Sequence, residues 1–150
     1  MTQERKKLVE LKNVSLTFNK GKSNEVEAID DVSFDIYEGE IFGLVGESGS
    51  GKTTIGRFVL KLSDIDSGTV TFSGNEISSL KGKDLHDFRK IDQMIFQDPQ
   101  SSLNGRMKIR DIIAEGIDIH KLAKSKEERE AKVKELIDLV GLNEDHLSRY

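Results

Sequence analysis

Residues 46–54 read Gly46-Glu47-Ser48-Gly49-Ser50-Gly51-Lys52-Thr53-Thr54 and fit the spacing G-x-x-x-x-G-K-[ST]. The apolar run Ile41-Phe42-Gly43-Leu44-Val45 precedes them, and an amphipathic stretch follows. That order predicts a strand, a tight glycine turn and a helix. Glycines allow the dihedrals such a turn needs and let backbone N–H groups approach an anion closely. The new helix aims its unpaired N–H groups and positive dipole end at the same point. Lys52 can reach the β- and γ-phosphates, and the Thr53 hydroxyl can bind Mg²⁺. A Gly/Ser-rich loop with a chance lysine would lack the flanks. Gly46, Ser48, Gly49, Ser50, Gly51, Lys52, Thr53 and Thr54 are therefore read as a nucleotide phosphate site.

The rest of the chain narrows the class. A length of 150 residues fits one domain or a piece of one. With 35% hydrophobic and 33% charged residues, the composition is that of an ordinary globular chain, neither disordered nor membrane-spanning. The absence of cysteine removes disulfides and thiolate metal sites. A net charge of −4 argues against general nucleic-acid binding. Met1-Thr2-Gln3-Glu4-Arg5-Lys6-Lys7 is basic but has no apolar core behind it, so it is not a secretion signal. No apolar run nears the roughly 20 residues that cross a bilayer, so any membrane link runs through a partner.

Taken in order, Leu11, Val14, Leu16 and Phe18 end in clean alternation and read as a half-buried strand. Residues 19–24 are a polar turn. Residues 26–29 make a short strand, and Val32, Phe34 and Ile36 mark another. Glu38-Gly39-Glu40 is a tight turn into residues 41–45, a continuous apolar strand buried on both faces. Strands joined by so short a turn must be antiparallel. After the loop, Ile55, Phe58, Val59 and Leu62 fall on one helix face. A strand at 69–72, a short charged helix at 83–90 with Leu85 and Phe88 inward, and a strand at 91–96 follow. The remainder is helical. Ile109, Ile112, Ile113 and Gly116 trace one face. Ser125 and Glu128 have capping-box spacing, Val133, Leu136, Ile137 and Val140 form a buried stripe, and Gly141 ends that helix. His86, His120 and His146 show no metal-ligand spacing.

With these residues in hand, the sequence resembles the ATP-binding subunit of an ABC transporter. The resemblance runs through the antiparallel strands, the loop at 46–54, Asp66-Ser67-Gly68 and Phe96-Gln97-Asp98-Pro99, and covers essentially the whole chain. Ser101-Ser102-Leu103-Asn104 and Ile112-Ile113-Ala114-Glu115 resemble the dipeptide, oligopeptide and nickel importer branch, with Gly105 where that branch has a proline. The fold implied is α/β: an ABC-type P-loop NTPase with an antiparallel β-subdomain, a partial parallel core sheet and the start of a helical subdomain. Residues 1–97 would form the nucleotide-binding core and β-subdomain, and residues 98–150 the start of the helical one.

The resemblance also implies roles. Phe18 matches the aromatic that stacks on adenine, a contact that needs only a suitably placed ring. Gln97 matches the glutamine that contacts Mg²⁺ and the attacking water, so Thr53 and Gln97 would hold the metal of an ATP–Mg²⁺ complex. The loop after Gln97 would touch transmembrane permease subunits, and a second ATP-binding subunit would complete the site head to tail, on the cytoplasmic face of the membrane. The family's Leu-Ser-Gly-Gly-Gln signature, its apolar strand ending Asp-Glu and its switch histidine do not occur here. Asp98 is no substitute for that strand, because Gln97 interrupts the apolar run and no Glu follows. The chain thus reads as a truncated one without catalytic residues, expected to bind ATP but not hydrolyse it, while the intact protein would energise import of peptides or nickel. The alternatives are a non-transport ABC ATPase and a non-catalytic nucleotide-binding fragment. A GTPase is discounted, because Asn19-Lys20-Gly21-Lys22 precedes the loop and lacks the Asp of a guanine reader.

Overall fold

In the computed structural model, which describes residues 5–150, the alternating segment becomes a 12-residue strand, β1 (Lys7–Phe18). Residues 1–4 lie outside the described residues, while the basic Arg5, Lys6 and Lys7 lie within them. β1 pairs antiparallel with β2 (Val26–Tyr37) on one side and β3 (Ser67–Phe72) on the other. A two-residue β4 (Asn75–Glu76) pairs antiparallel with β3, so the sheet order is β2-β1-β3-β4.

The two short strands expected at 26–29 and 32–36 are one strand. What looked like a break at Asp30-Asp31 is an irregular stretch of the ladder around the Val14–Val32 pair, with Asp31 on β2 at φ 46° and Asn13 on β1 at φ 49°. Side chains satisfy the backbone there. Ser33 Oγ accepts from the Asn13 N–H at 2.8 Å, Ser15 Oγ accepts from the Asp31 N–H at 3.0 Å, and Asn13 Nδ2 donates to Asp31 Oδ1 at 2.7 Å. A bulge of this kind bends a strand without ending it.

One face of the sheet is covered by α1 (Lys52–Val59), which buries Ile55 and Phe58. They join Val9, Leu11, Val14, Leu16, Ile29, Val70, Ile77 and Phe88 in one core. Phe88 comes from α2 (Gly82–Phe88) and meets Phe72 edge to face at 5.3 Å. Leu62, expected on the face of α1, lies beyond its end and is exposed. α1 stops at Val59 because Lys61 turns left-handed at φ 49°, and the Lys61 and Leu62 N–H groups close onto Phe58 O and Arg57 O. Those two bonds are a Schellman ending.

Residues 41–45 and 91–96, both expected as strands, pair with no strand, and the parallel core sheet they would have begun is not formed among the described residues. Ile41 is 100% exposed and Val45 91%. An apolar strand buried on both faces needs neighbours along both edges and a layer over each face. Here Phe42 stacks on Phe34 of β2, with centroids 5.0 Å apart and planes 9° from parallel.

The chain divides into two compact units, Met1–Met94 and Ile95–Tyr150. The second holds α3 (Ile109–Ile119), α4 (Lys126–Leu139) and two 3₁₀ turns, Gln100–Ser102 and Glu144–Ser148. Its core is Ala114, Ile117, Val133, Ile137 and Leu147, with Ile109 and Ile113 against it. Gly116 is exposed rather than inward, and so are Leu136 and Val140. A single helix and a 3₁₀ turn cover only a narrow stripe of α4, so Val133 and Ile137 are buried while their flanking apolar neighbours are not. Arg129 on α4 grips Asp118 on α3 with Nε and Nη2, at 2.8 Å each to Oδ1 and Oδ2. Ser125 caps α4 by accepting from the Glu128 N–H at 3.2 Å, and Glu128 reaches back to the Lys124 N–H at 2.8 Å. Gly141, at φ 76°, closes the helix with Leu142 through a second Schellman pair.

Candidate functional site

The loop at 46–54 is built as a curl around a lysine. Ser50 N donates to Glu47 O at 3.2 Å, closing a turn whose third residue, Gly49, has φ 82°. Lys52 then folds back over that turn. Its Nζ donates to Gly46 O at 2.8 Å, Glu47 O at 2.5 Å and Ser50 Oγ at 3.2 Å. The ammonium therefore lies at the focus of the loop, held by neutral acceptors and by no carboxylate in those contacts. A phosphate oxygen is a stronger partner for it than a carbonyl, since charge-assisted hydrogen bonds are roughly twice as strong as neutral ones.

Helix α1 starts at that lysine. Its cap residue, Gly51, offers no side-chain acceptor, and its first turn carries no acidic residue. The first N–H groups of a helix have no partner within it, and the dipole makes that end partly positive. Thr53 and Thr54 lie in that turn, and Thr53 is exposed. Gly51 also sets how closely the loop meets the sheet. It has φ 83°, and a Cβ there would fall 2.4 Å from Ile29 Cδ1 and 2.7 Å from Ala28 O. Only glycine fits this approach of helix to β2. Gly46 has a related constraint, since a Cβ would meet Ser50 Oγ at 2.7 Å.

Phe18 ends β1, is 44% exposed and pairs with Val26 at the start of β2. Three residues further along β2, about 10 Å by strand rise, Ile29 touches the Gly51 position. The open ring and the loop are thus tied to one end of one strand. Gln97 is exposed and belongs to the other unit, in the irregular segment before the 3₁₀ turn Gln100–Ser102. Downstream of it, Ser101 Oγ donates to Asp98 O at 2.9 Å. The Arg106 N–H donates to Asn104 Oδ1 at 3.0 Å and the Met107 N–H to Asn104 O at 2.9 Å, so side-chain turns shape the loop around Gly105.

The residues present fit a nucleotide phosphate by the donor set and the closed glycine approach. Among the described residues, no three His, Cys, Asp or Glu side chains gather as a metal site. A cation here would lean on phosphate oxygens plus one or two protein oxygens, the habit of Mg²⁺. Ala28, Ile29, Phe34 and Phe42 support the loop and were not singled out from the sequence as site residues. Their only signal there is apolar character within expected strands, which every buried strand shares.

The loop and its flanks have known counterparts. The family model described as ABC transporter matches residues 29–150. The chain belongs to the ABC transporter family. It is 73% identical over 150 residues to the oligopeptide transport ATP-binding protein OppF of Streptococcus mutans, covering 100% of this chain and 49% of that protein. It is 62% identical over 149 residues to the dipeptide transport ATP-binding protein DppF of Lactococcus lactis subsp. cremoris, covering 98% and 48%. OppF of Bacillus subtilis is 52% identical over 145 residues, covering 96% and 47%. The chain thus spans about half the length of the curated relatives it matches. Among solved structures, the dimeric post-hydrolysis state of the ATP-binding cassette MJ0796 bound to ADP and Pi superposes with a TM-score of 0.77 at 26% identity, covering 95% of this chain and 61% of that one. The ABC-type P-loop fold expected from the residue motifs is therefore the fold to which this chain belongs, with the antiparallel β-subdomain formed and the parallel core sheet not formed among the described residues. No helix among the described residues is long and apolar enough to cross a membrane.

Proposed function

We propose that this chain carries the ATP-gripping part of the subunit that energises an ABC importer of dipeptides or oligopeptides. The observation that carries the reading is the loop closed on Lys52 at an uncapped helix start. The cargo class is supported by relatives named for oligopeptide and dipeptide transport, which match along nearly the whole chain. Gly46, Ser48, Gly49, Ser50, Gly51, Lys52, Thr53 and Thr54 bind the phosphates, Phe18 stacks on the base, and Thr53 and Gln97 ligate Mg²⁺. Residues 1–97 serve as the nucleotide-binding core and β-subdomain, and 98–150 begin the helical subdomain. The loop after Gln97 meets permease subunits, and a second ATP-binding subunit pairs head to tail, at the cytoplasmic face of the membrane.

ATP hydrolysis belongs to the whole protein under this reading, because the sequence contains no Asp-Glu pair to hold metal and water. Titration with a fluorescent ATP analogue tests it. The chain binds the analogue in the presence of Mg²⁺, unlabelled ATP displaces it, and Lys52→Ala weakens binding about 10- to 100-fold, the loss of one charge-assisted contact. Phosphate release stays at background. Failure to bind, or equal binding by Lys52→Ala, overturns the site. Steady turnover lost on Lys52→Ala overturns the division of labour.

A further inference from the structure

We propose that β2 holds the phosphate loop at both ends, with Phe34 acting through Phe42 as a positioning residue for nucleotide binding. The inference rests on the nucleotide reading above and adds residues that never touch the ligand.

Two contacts carry it. On the exit side, Ile29 Cδ1 and Ala28 O close on Gly51, where α1 begins. On the entry side, Phe34 stacks face to face on Phe42, four residues before Gly46. Both supports come from one strand, five residues apart, about 17 Å by strand rise. The two limbs differ in what else restrains them. Gly51 leads into a helix whose Ile55 and Phe58 are buried in the core. Residues 41–45 have no strand partner, and none of them belongs to that core. The stacked pair ties the entry limb to the sheet, and so limits where the Gly46 and Glu47 carbonyls that hold Lys52 can go. Losing one ring frees the entry limb, and ligand binding must then order it.

The test is a double-mutant cycle on the chain, read by affinity for a fluorescent ATP analogue and by the thermal midpoint. The variants are Phe34→Leu, Phe42→Leu, both together, and Phe34→Tyr. An aromatic pair contributes enough that each single Leu weakens affinity about fivefold. The double variant weakens it no further, because the second ring has already lost its partner. Phe34→Tyr keeps the stack and binds like the parent. Parent-like binding by Phe34→Leu overturns the proposal, and so does a double variant whose loss is the product of the two singles. A loss of affinity that only follows a loss of folded protein overturns it too. Should Phe34→Leu fail to fold, Phe42→Leu decides alone, since Phe42 lies outside both strand and core. A parent that binds no nucleotide sinks the nucleotide reading itself, an outcome distinct from a parent that binds and a Phe34→Leu that binds equally.

Discussion

Gly51 and Gly49 are both left-handed glycines of the same loop, yet their neighbours differ. A Cβ at Gly51 would meet Ile29 Cδ1 at 2.4 Å and a backbone oxygen at 2.7 Å, whereas one at Gly49 has nothing within 4 Å. Gly49→Ala therefore carries only the dihedral penalty, about 1 kcal/mol. Gly51→Ala adds a clash with backbone that cannot swing away, and is expected to destabilise by about 3 kcal/mol. Urea unfolding of the two variants measures the gap, and equal losses would refute the close approach. Asp92 presents a different case. It is half-buried, its Oδ2 has no hydrogen-bond partner, and burial pushes its carboxyl up to about 6 against a smaller opposing bond from the Gln93 backbone. Its folded value lies above its unfolded one, so the folded state holds a proton that the unfolded state releases. Its contribution to stability is thus greatest below about pH 4, falls as pH rises towards 6, and stays low above that. Asp92→Asn removes the titration. It should gain about 1 kcal/mol at pH 7, reduced from the full shift because solvent still screens the group. The gain should vanish near pH 4. Urea midpoints at the two pH values read it directly, and a pH-independent difference would rule out the assignment.

At the level of elements, helix endings show what could and could not be read from the chain. Gly141 is legible as a stop signal because left-handed closure favours glycine. The same closure ends α1 at Lys61 and α3 at Lys121, with φ 49° and 52°, and nothing in a lysine announces it. That is why Leu62 was expected on the face of a longer helix. At Lys121, the N–H bonds to Asp118 O at 3.2 Å and the Leu122 N–H to Ile117 O at 2.9 Å, the same pair of bonds that glycine makes at 141. Lys121→Gly keeps those bonds and relieves the left-handed strain, so it should raise stability by about 0.5–1 kcal/mol. Thermal unfolding checks it, and a destabilised variant would show that Lys121 is not strained. The turn, the lysine position and the helix start at 46–54 were legible, because one spacing encodes all three together. The paired face of β2 was legible too, but not its continuity, since Asp30-Asp31 looks like a turn until Asn13, Ser15 and Ser33 are seen to satisfy it. Residues 41–45 depart from the expected strand for another reason. Apolar composition states what a segment would bury against, and local sequence does not supply the neighbour.

For the molecule as a whole, the consequence of those unpaired segments is association. Ile41 and Val45 in the first unit, and Leu139 in the second at 80% exposure, put large apolar side chains into water. Ile41 and Val45 also belong to a segment whose backbone lacks a ladder, so they combine apolar surface with open hydrogen-bonding groups, the combination that makes unprotected strand edges sticky. The net charge of −4 on 150 residues gives only modest repulsion against it. The chain is therefore expected to form oligomers in light scattering at about 50 µM, a concentration range where exposed apolar and edge surface drives aggregation. Replacing Ile41 and Val45 by Ser should shift the population towards monomer. Both side chains are exposed and outside the core, so the double variant should change unfolding free energy by no more than about 0.5 kcal/mol per site. Solubility and stability would then separate, which distinguishes surface association from partial unfolding. A parent that stays monomeric, or a Ser variant that associates as much as the parent, would place the source of any aggregation elsewhere in the chain.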